Sequence, residues 1–523
     1  MAEQTPLDRR SQPRMARNKI RSIAELGEIA ARVKSEGRKV VLCHGVFDLL
    51  HMGHVRHLEV ARREGHVLFV TLTADKHVNK GPGRPVFTEQ LRAEMIGSVE
   101  YVDWVGINEA PSAEPVLQAI KPDIYVKGSD YKNSGEDVTG RIVSEQEVVE
   151  SHGGKIVFTD DIVFSSSALI NQHLGIYEPT LQAYLGRLRD EGRQQQILDA
   201  IERMKDLKVV VIGDAIVDEY QYVSAMGRSA KENMIATLFQ EREVFAGGVF
   251  AAANHVSDFC RNITVITGFG GYDTYEEMAR GCLKPNVELR AIHRKEAPTT
   301  RKCRFVDRGY SMRKLFEVYF MDDSPLAGEN RTLLNRHIEE AVADADVVIV
   351  TDFGHGLLSG DTIDLLQKKS KFLAINAQSN AGNHGYNLVS KYSRADYICV
   401  DAPEARLAVH DKFSDMEEVV SRLLPDLVDC PNIVVTLGKN GCLAFERNNG
   451  LHRVPALTST IVDTVGAGDA FFALSAPMVA VGLPMELVGF FGNAAGAMKV
   501  GIVGHRSSVE KVPMIKFLTA LLK

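Results

Sequence analysis

Short unbroken apolar runs alternate along this chain with stretches in which apolar residues recur at helical spacing. The segment RKVVLCHG (38–45) reads as a buried strand ending in a Gly turn, followed by a helix that begins near His51. The order then repeats: strands HVLFVTLT (66–73), VDWVGI (102–107), DIYVKG (123–128) and KIVFT (155–159), with helices over 88–99, 114–120 and 143–152. Such alternation predicts a parallel α/β sheet, closing by about Ile176. Residues 180–207 differ. They are polar and helical in period, with Leu181, Leu185, Leu188, Ile197, Leu198 and Ile201 on one stripe and Gly192 as an interruption. At Lys208 a second α/β pattern starts with KVVVIGDAIVDEY, and its clearest strands are DVVIVTDFG (346–354), KFLAINA (371–377), DYICVDA (396–402) and NIVVTLG (432–438).

The expected organisation is an N-terminal arm and helix (1–37), a first α/β domain (38–176), a helical linker (177–207) and a second α/β domain (208–523). A chain of 523 residues exceeds one ordinary core, which agrees. A net charge of −7 gives no global field favouring nucleic acid, and the basic residues of the arm (Arg9, Arg10, Arg14, Arg17, Lys19) are interleaved with polar ones, as in a solvated tail. No run has the length of a membrane span, and the first residues lack the apolar core of a signal peptide. The seven cysteines are scattered without a C-x-x-C pair, so a reducing, cytoplasmic setting is expected.

The stretch CHGVFDLLHMGHVRH (43–57) crowds four histidines and an aspartate around one helix start. A metal, a set of satisfied core histidines and a bound anion are the three readings. His51 and His54 share a helix face, whereas His57 rotates away from any common ion, and no Cys or carboxylate partner stands at zinc spacing. Gly53 leaves the backbone accessible, and a helix N-terminus offers unpaired N–H groups, so phosphate is favoured. His57 is then expected on the helix surface and His44 at the strand end.

This stretch resembles the catalytic motif of the HxGH nucleotidyltransferase superfamily, in its cytidylyltransferase-like branch, through Gly45, Phe47, Asp48, His51, Gly53 and His54. KGPGRPVFTEQLRAEMI (80–96), KPDIYVKGSDY (121–131) and FSSSALI (164–170) resemble further family segments in the expected order. The resemblance implies a Rossmann-like fold in which His51 and His54 contact the phosphates of ATP or CTP. Lys80, with Arg84 and Lys127, would neutralise them, Ser165, Ser166 and Ser167 would bind phosphate, and Mg²⁺ would bridge. For Arg92 a phosphate contact and a surface helix salt bridge stand side by side. The attacking oxygen in this chemistry is already anionic, so no general base is needed.

DTVGAGDAF (463–471) carries the second constellation. Gly466, Ala467 and Gly468 leave their N–H groups unshielded at a helix start, an anion nest, and Asp469 in the first turn is positioned to take a proton from an alcohol. The stretch resembles the D-T-x-G-A-G-D-x-F signature of ribokinase or PfkB-like sugar kinases. The resemblance implies a ribokinase-like fold with a small β-lid, supplied by 219–245 and 299–321. It implies sugar contacts from Asp214, Asp218, Gly247 and Gly248, nucleotide contacts from Thr436, Gly438 and Asn493, and Glu404 near Mg²⁺ and phosphate. ATP would be the phosphoryl donor, and dimerisation through the lid is common in that family. This chain departs from the family's pattern at Asp401 (usually Asn), at Ile375-Asn376-Ala377-Gln378 (I-D-P-K in heptose kinases), and at the pocket Asn, which is absent while Asn254 lies two places on.

Together the domains resemble the bifunctional heptose 7-phosphate kinase and heptose 1-phosphate adenylyltransferase family of lipopolysaccharide inner-core synthesis, with the domain order reversed. That implies a sugar phosphate and a nucleoside triphosphate as substrates and a separate sugar bisphosphate phosphatase between the steps. A polyol phosphate with CTP, or a regulatory nucleotide-binding protein with one inactive domain, are the other readings.

Overall fold

The computed structural model describes residues 15–78, 80–81, 83–128, 141–159, 170–171, 177–309, 312–457 and 461–523. The chain forms two compact units: residues 1–182 with 515–521 and 523, and residues 183–514 with 522. The second α/β pattern was expected to run unbroken to 523, yet 515–521 group with the first unit.

In the first unit, β1 (Val40–Gly45), β2 (Val67–Thr73), β3 (Trp104–Asn108), β4 (Ile124–Gly128) and β5 (Lys155–Thr159) make one parallel sheet. Its order is β3-β2-β1-β4-β5. Alternate residues of β1 serve opposite faces, as the two-residue period of a strand requires. Val40 and Leu42 join the core beneath helix Ile23–Ser35, whose Leu26, Ile29, Ala30 and Val33 cover that face. Val41 and Cys43 join the core on the other face with Leu58, Ala61, Ala93 and Ile96. Ser22 and Glu25 form a reciprocal capping box that starts helix Ile23–Ser35. Strand order reverses between β1 and β4, so the crevice beyond their C-terminal ends is the place for a ligand.

The amphipathic stretch after this domain is two helices, Pro179–Asp190 and Arg193–Met204, broken at Gly192 with φ of 66°. Of its stripe, Leu181, Leu185, Leu188, Ile197 and Ile201 are buried.

The second unit holds β6 (Lys208–Gly213), β7 (Ala215–Arg228), β8 (Ile235–Gly248), β9 (Asn262–Tyr272), β10 (Val287–Pro298), β11 (Thr300–Asp307) and β12 (Arg313–Phe320). It continues with β13 (Val347–Asp352), β14 (Leu373–Ala377), β15 (Tyr397–Asp401), β16 (Asn432–Thr436), β17 (Cys442–Glu446) and β18 (Gly450–Val454). The large sheet runs β10-β9-β6-β13-β14-β15-β16-β17-β18, parallel except for the closing antiparallel pairs of β17 and β18. A smaller sheet, β12-β11-β7-β8, pairs segments from both regions expected to form a lid. The chain leaves the large sheet at Gly213 and enters the small one at Ala215, so Asp214 stands at the junction. No described helix is long and apolar enough to cross a membrane.

The β16–β17 turn needs glycine at 441, where φ is +84° and a Cβ would lie 2.0 Å from the Val454 carbonyl oxygen. Gly441→Ala is expected to lower stability by about 2–4 kcal/mol, read as a shift in the urea midpoint at unchanged slope.

Candidate active sites

β1 ends at Gly45, and Phe47 adopts a left-handed φ of 49°, which turns the chain so that Asp48 points inward. Asp48 is fully buried. One oxygen accepts from Arg84 Nε at 2.5 Å and the other from Val86 N–H at 2.6 Å. Asp48 and Arg84, both assigned to the nucleotide, thus neutralise each other and tie the 84–86 loop to the end of β1. Arg84 also reaches Asn171 Oδ1 at 3.4 Å.

His51 caps helix Met52–Arg63, its Nδ1 accepting from Gly53 N–H at 3.1 Å. That bond puts the neutral ring's proton on Nε2. His54 lies one turn on, with ring centroids 4.0 Å apart, and the ring of Phe47 is 5.3 Å from His54. Nδ1 of His54 is buried with no hydrogen-bond partner among the described residues. Burial, reinforced by His51 and Lys80, lowers the pKa of His54 to about 3, and burial lowers that of His51. Burial thus favours the neutral form of both rings. Lys80 is half-buried, and burial followed by the Arg84 charge lowers it to about 8, with Asp48 opposing.

Lys127 carries its own counter-ion. Its Nζ lies 2.7 Å from Glu145, which also accepts from Tyr125 Oη at 3.2 Å. His44 bonds Thr71 Oγ1 at 2.9 Å, and burial lowers its pKa to about 3. His57, expected on the surface, is half-buried and bonds Thr159 Oγ1 at 2.9 Å. Arg92 is neither a surface ion pair nor a free phosphate contact. It is fully buried and donates to the carbonyls of Phe87 (3.0 Å), Thr73 (2.9 Å) and Val46, and to Asp75. A helix beside two loops with unpaired carbonyls recruits a guanidinium in this way. Ser165, Ser166 and Ser167 lie outside the described residues.

In the second unit Gly466, at φ of 77°, caps helix Ala467–Ala480, and a Cβ on Gly468 would meet nothing within 4 Å, so the nest opens outward. Asp469 is buried in the first turn and accepts from Gln378 Nε2 at 2.6 Å. Burial raises its pKa, against His505, Gln378 and Lys499. Gln378 in turn bonds Asn376 Oδ1 at 2.9 Å, so the departure at 375–378 abuts Asp469 directly.

Asp218 pairs with Arg304 and lies 3.3 Å from His505 Nε2, and the Arg304 charge with the His505 hydrogen bond holds its carboxyl below the usual range despite burial. Gly247 is required here, since its Cβ would fall 2.0 Å from Asp218 Oδ2. Gly248, at φ of 55°, would bring a Cβ to 2.7 Å from the Asp214 carbonyl. Asp214 itself accepts from the N–H groups of Phe353 (3.1 Å), His355 (3.3 Å) and Leu357 (3.4 Å). Burial and the neighbouring Asp352 raise it to about 6. Asn254 bonds the Cys282 carbonyl at 3.0 Å and takes no part in this cluster.

Glu404 accepts from Ser379 N–H at 3.0 Å and Asp401 N–H at 2.9 Å, in a capping box with Asp401. Burial and Asp401 raise it to about 7. Thr436 ends β16, Gly438 follows at φ of 57°, and Asn493 is bound to the carbonyls of Val454 (3.3 Å) and Pro455 (3.0 Å).

Sequence reasoning missed Lys302, Arg304, His355, Lys499 and His505. Lys302 and Arg304 are two apart on β11 and so share a face, a signal present in TRKCRF (300–305). Lys302 is buried, its ammonium 5.4 Å from the Tyr319 ring and 5.7 Å from that of Phe353. His355 is buried with both ring nitrogens lacking a hydrogen-bond partner among the described residues, and burial with Lys302 lowers its pKa to about 3.

A family model of pfkB family carbohydrate kinases matches residues 206–512, and a cytidylyltransferase-like model matches residues 42–172. The first part is similar to the bifunctional protein HldE of Alcanivorax borkumensis, 37% identical over 148 residues, which are 27% of this chain and 30% of that one. The HldE of Trichlorobacter lovleyi is 39% identical over 141 residues, 27% of each chain. The chain thus spans less than a third of the length of these relatives, on the cytidylyltransferase-like part alone. Ribokinase from Thermotoga maritima aligns at 20% identity and a TM-score of 0.47, over 60% of this chain and 99% of that one. Matched over more than half its length, the chain belongs to the pfkB family of carbohydrate kinases, with a cytidylyltransferase-like domain preceding the kinase domain.

Proposed function

We propose that the chain catalyses two steps towards a nucleotide-activated sugar. The second unit transfers the γ-phosphoryl group of ATP to the anomeric hydroxyl of a phosphorylated sugar, a heptose phosphate in the preferred reading. The first couples a sugar 1-phosphate to the nucleotidyl group of ATP or CTP. The observation that carries the reading is a contrast in protonation chemistry. One unit has a buried carboxylate beside an anion nest, and the other has imidazoles and a lysine whose neighbouring carboxylate, Asp48, is taken up by Arg84.

In the kinase step Asp469 accepts the hydroxyl proton as that oxygen bonds the γ-phosphorus and the bond to the β–γ bridging oxygen breaks, releasing ADP. The N–H groups of Gly466 to Gly468 face the growing negative charge. In the transferase step an anionic phosphate oxygen attacks the α-phosphorus and pyrophosphate leaves. Nε2–H groups of His51 and His54 and the Lys80 ammonium stabilise the charge on it.

Mg²⁺ fits the second unit as a substrate-borne ion. Among the described residues no three His, Cys, Asp or Glu side chains cluster to hold a metal. A cation carried on phosphates needs only one or two carboxylates, and Glu404 and Asp401, both raised by burial, are the groups whose charge it would relieve. When bound it neutralises the phosphates.

Lys302, Arg304 and His355 beside Asp214 and Asp218 support a sugar that already bears an anion. Its phosphorylation gives a bisphosphate, and the transferase consumes a monophosphate, so a separate phosphatase must act between the steps. The small sheet exposes Phe239, Phe316, Val318 and Phe320 on one face by register, an apolar surface that supports a homodimer through this sheet. Seven free cysteines support a cytoplasmic setting.

Mass spectrometry of products from a panel of sugar phosphates with all four nucleoside triphosphates tests the substrates. A polyol phosphate with CTP as the preferred pair would replace the heptose reading. Asp469→Asn is expected to lower sugar phosphorylation about 10²–10⁴-fold and spare nucleotidyl transfer. His54→Ala is expected to lower nucleotidyl transfer about 10²–10³-fold and spare the kinase. Variants that each kept both activities would refute the assignments.

Lys80 must be charged to attract a triphosphate. It loses its proton as pH rises through about 8, so kcat/KM for the nucleotide should fall above that pH. Lys80→Arg, which stays protonated, should move this limb upward. A pH–rate profile unaltered by that substitution assigns the limb to another group.

A further inference from the structure

Helix Met485–Lys499 is apolar almost throughout, yet ends inside the second unit on a lysine that is 0% exposed. Lys499 Nζ donates to the carbonyls of Val465 at 2.8 Å and Gly504 at 2.6 Å. Val465 precedes the nest glycine, and a Cβ on Gly466 would stand 3.2 Å from Lys499 Cε, so the ammonium lies directly behind the nest. Gly504 precedes His505, which faces Asp218.

Carboxylates lie close enough to act on this ammonium, but among the described residues none hydrogen-bonds it. Asp463 spends its oxygens on Lys314 Nζ (2.7 Å), Val465 N–H (3.2 Å), Tyr220 Oη (2.7 Å) and Gly504 N–H (2.9 Å). Asp463, Asp469 and Asp218 favour the charge on Lys499, while burial and Lys314 oppose it. A cation with carbonyl oxygens as its nearest partners and carboxylates beyond them has the surroundings of a bound monovalent ion. Burying an ammonium carries a desolvation cost that methionine at this position would not.

We infer that the Lys499 ammonium is a built-in monovalent cation, a positioning residue that clamps the Gly466–Gly468 nest to the 500–505 segment and sets its potential for the phosphates. The inference rests on the kinase reading of this unit. Its chemistry makes a specific demand. With the ammonium removed, two buried carbonyls lose their donor, and a small cation able to enter the vacated space restores what was lost.

The test compares the full-length protein with Lys499→Ala and Lys499→Arg, in buffers whose only monovalent cation is tetramethylammonium, potassium, ammonium or methylammonium. The kinase rate of the unaltered protein should be the same in all four. Lys499→Ala should lose about 10²-fold in kcat, the cost of a misplaced reacting group, and recover at least about tenfold with ammonium, methylammonium or potassium but not with tetramethylammonium. Lys499→Arg should retain more activity than the alanine variant. Calorimetric ADP binding, which needs no sugar, should show the same loss and recovery. It separates failure of this inference from failure of the kinase reading. Wild-type kcat in the alanine variant, or a loss that none of the cations reverses in a protein with a cooperative thermal transition, overturns the inference. Should the alanine variant not fold, the unaltered protein decides, because a rate that rose with potassium would mean that the lysine does not fill the cation's place.

Discussion

Both sites depend on a carboxylate buried just beyond the first strand of its unit. Asp48 follows β1 and holds Arg84 and the Val86 N–H. Asp214 follows β6 and holds three main-chain N–H groups of the 353–357 loop. A carboxylate in a low-dielectric interior must be matched by donors, and a loop whose N–H groups point inward must be matched by an acceptor. Each aspartate satisfies both demands at once. It fixes a remote loop at the C-terminal edge of a parallel sheet, where ligands of such folds bind.

The remaining charge is organised differently in the two units. In the first, the buried cations Arg84, Arg92 and Lys127 are each matched by an acid, and Lys80 is left as the cation with the lowered pKa beside two neutral rings. In the second, acids are in excess around the nest: Asp218, Asp463, Asp469 and Glu404 converge there, and Lys499, Arg304 and Lys314 balance part of that charge. On the proposed reactions the contrast follows the nucleophile. A phosphate oxygen needs its target made electropositive, whereas an alcohol needs a carboxylate to take its proton.

Much of this was legible from local pattern. The strands of the first unit lie within a few residues of the apolar runs, because a strand buried on both faces must be apolar throughout. The break at Gly192 and the His51/His54 face follow equally from spacing. Other features were not legible. Arg92 read as either a phosphate contact or a surface ion pair because its partners, the carbonyls of Val46 and Thr73, are distant in the chain. His57 read as exposed because Thr159 is 102 residues away. Lys302 and Arg304 sit on β11, whose pairing with β7 no local period announces.

The sequence by itself determined which residue types stand at two strand-to-helix turns, and with them the family and the kinds of chemistry on offer, since motifs of this sort act through main-chain N–H groups whose exposure is a local property of glycine and helix starts. Only the tertiary structure decided which charged side chains are spent on the protein and which remain for a ligand. That depends on burial and on partners brought together across hundreds of residues. Asp48, Asp214 and Lys127 are engaged by the fold, and Lys499, unremarked in an apolar helix, stands behind the nest, because pairing energies in a low dielectric are set by distance in space rather than along the chain.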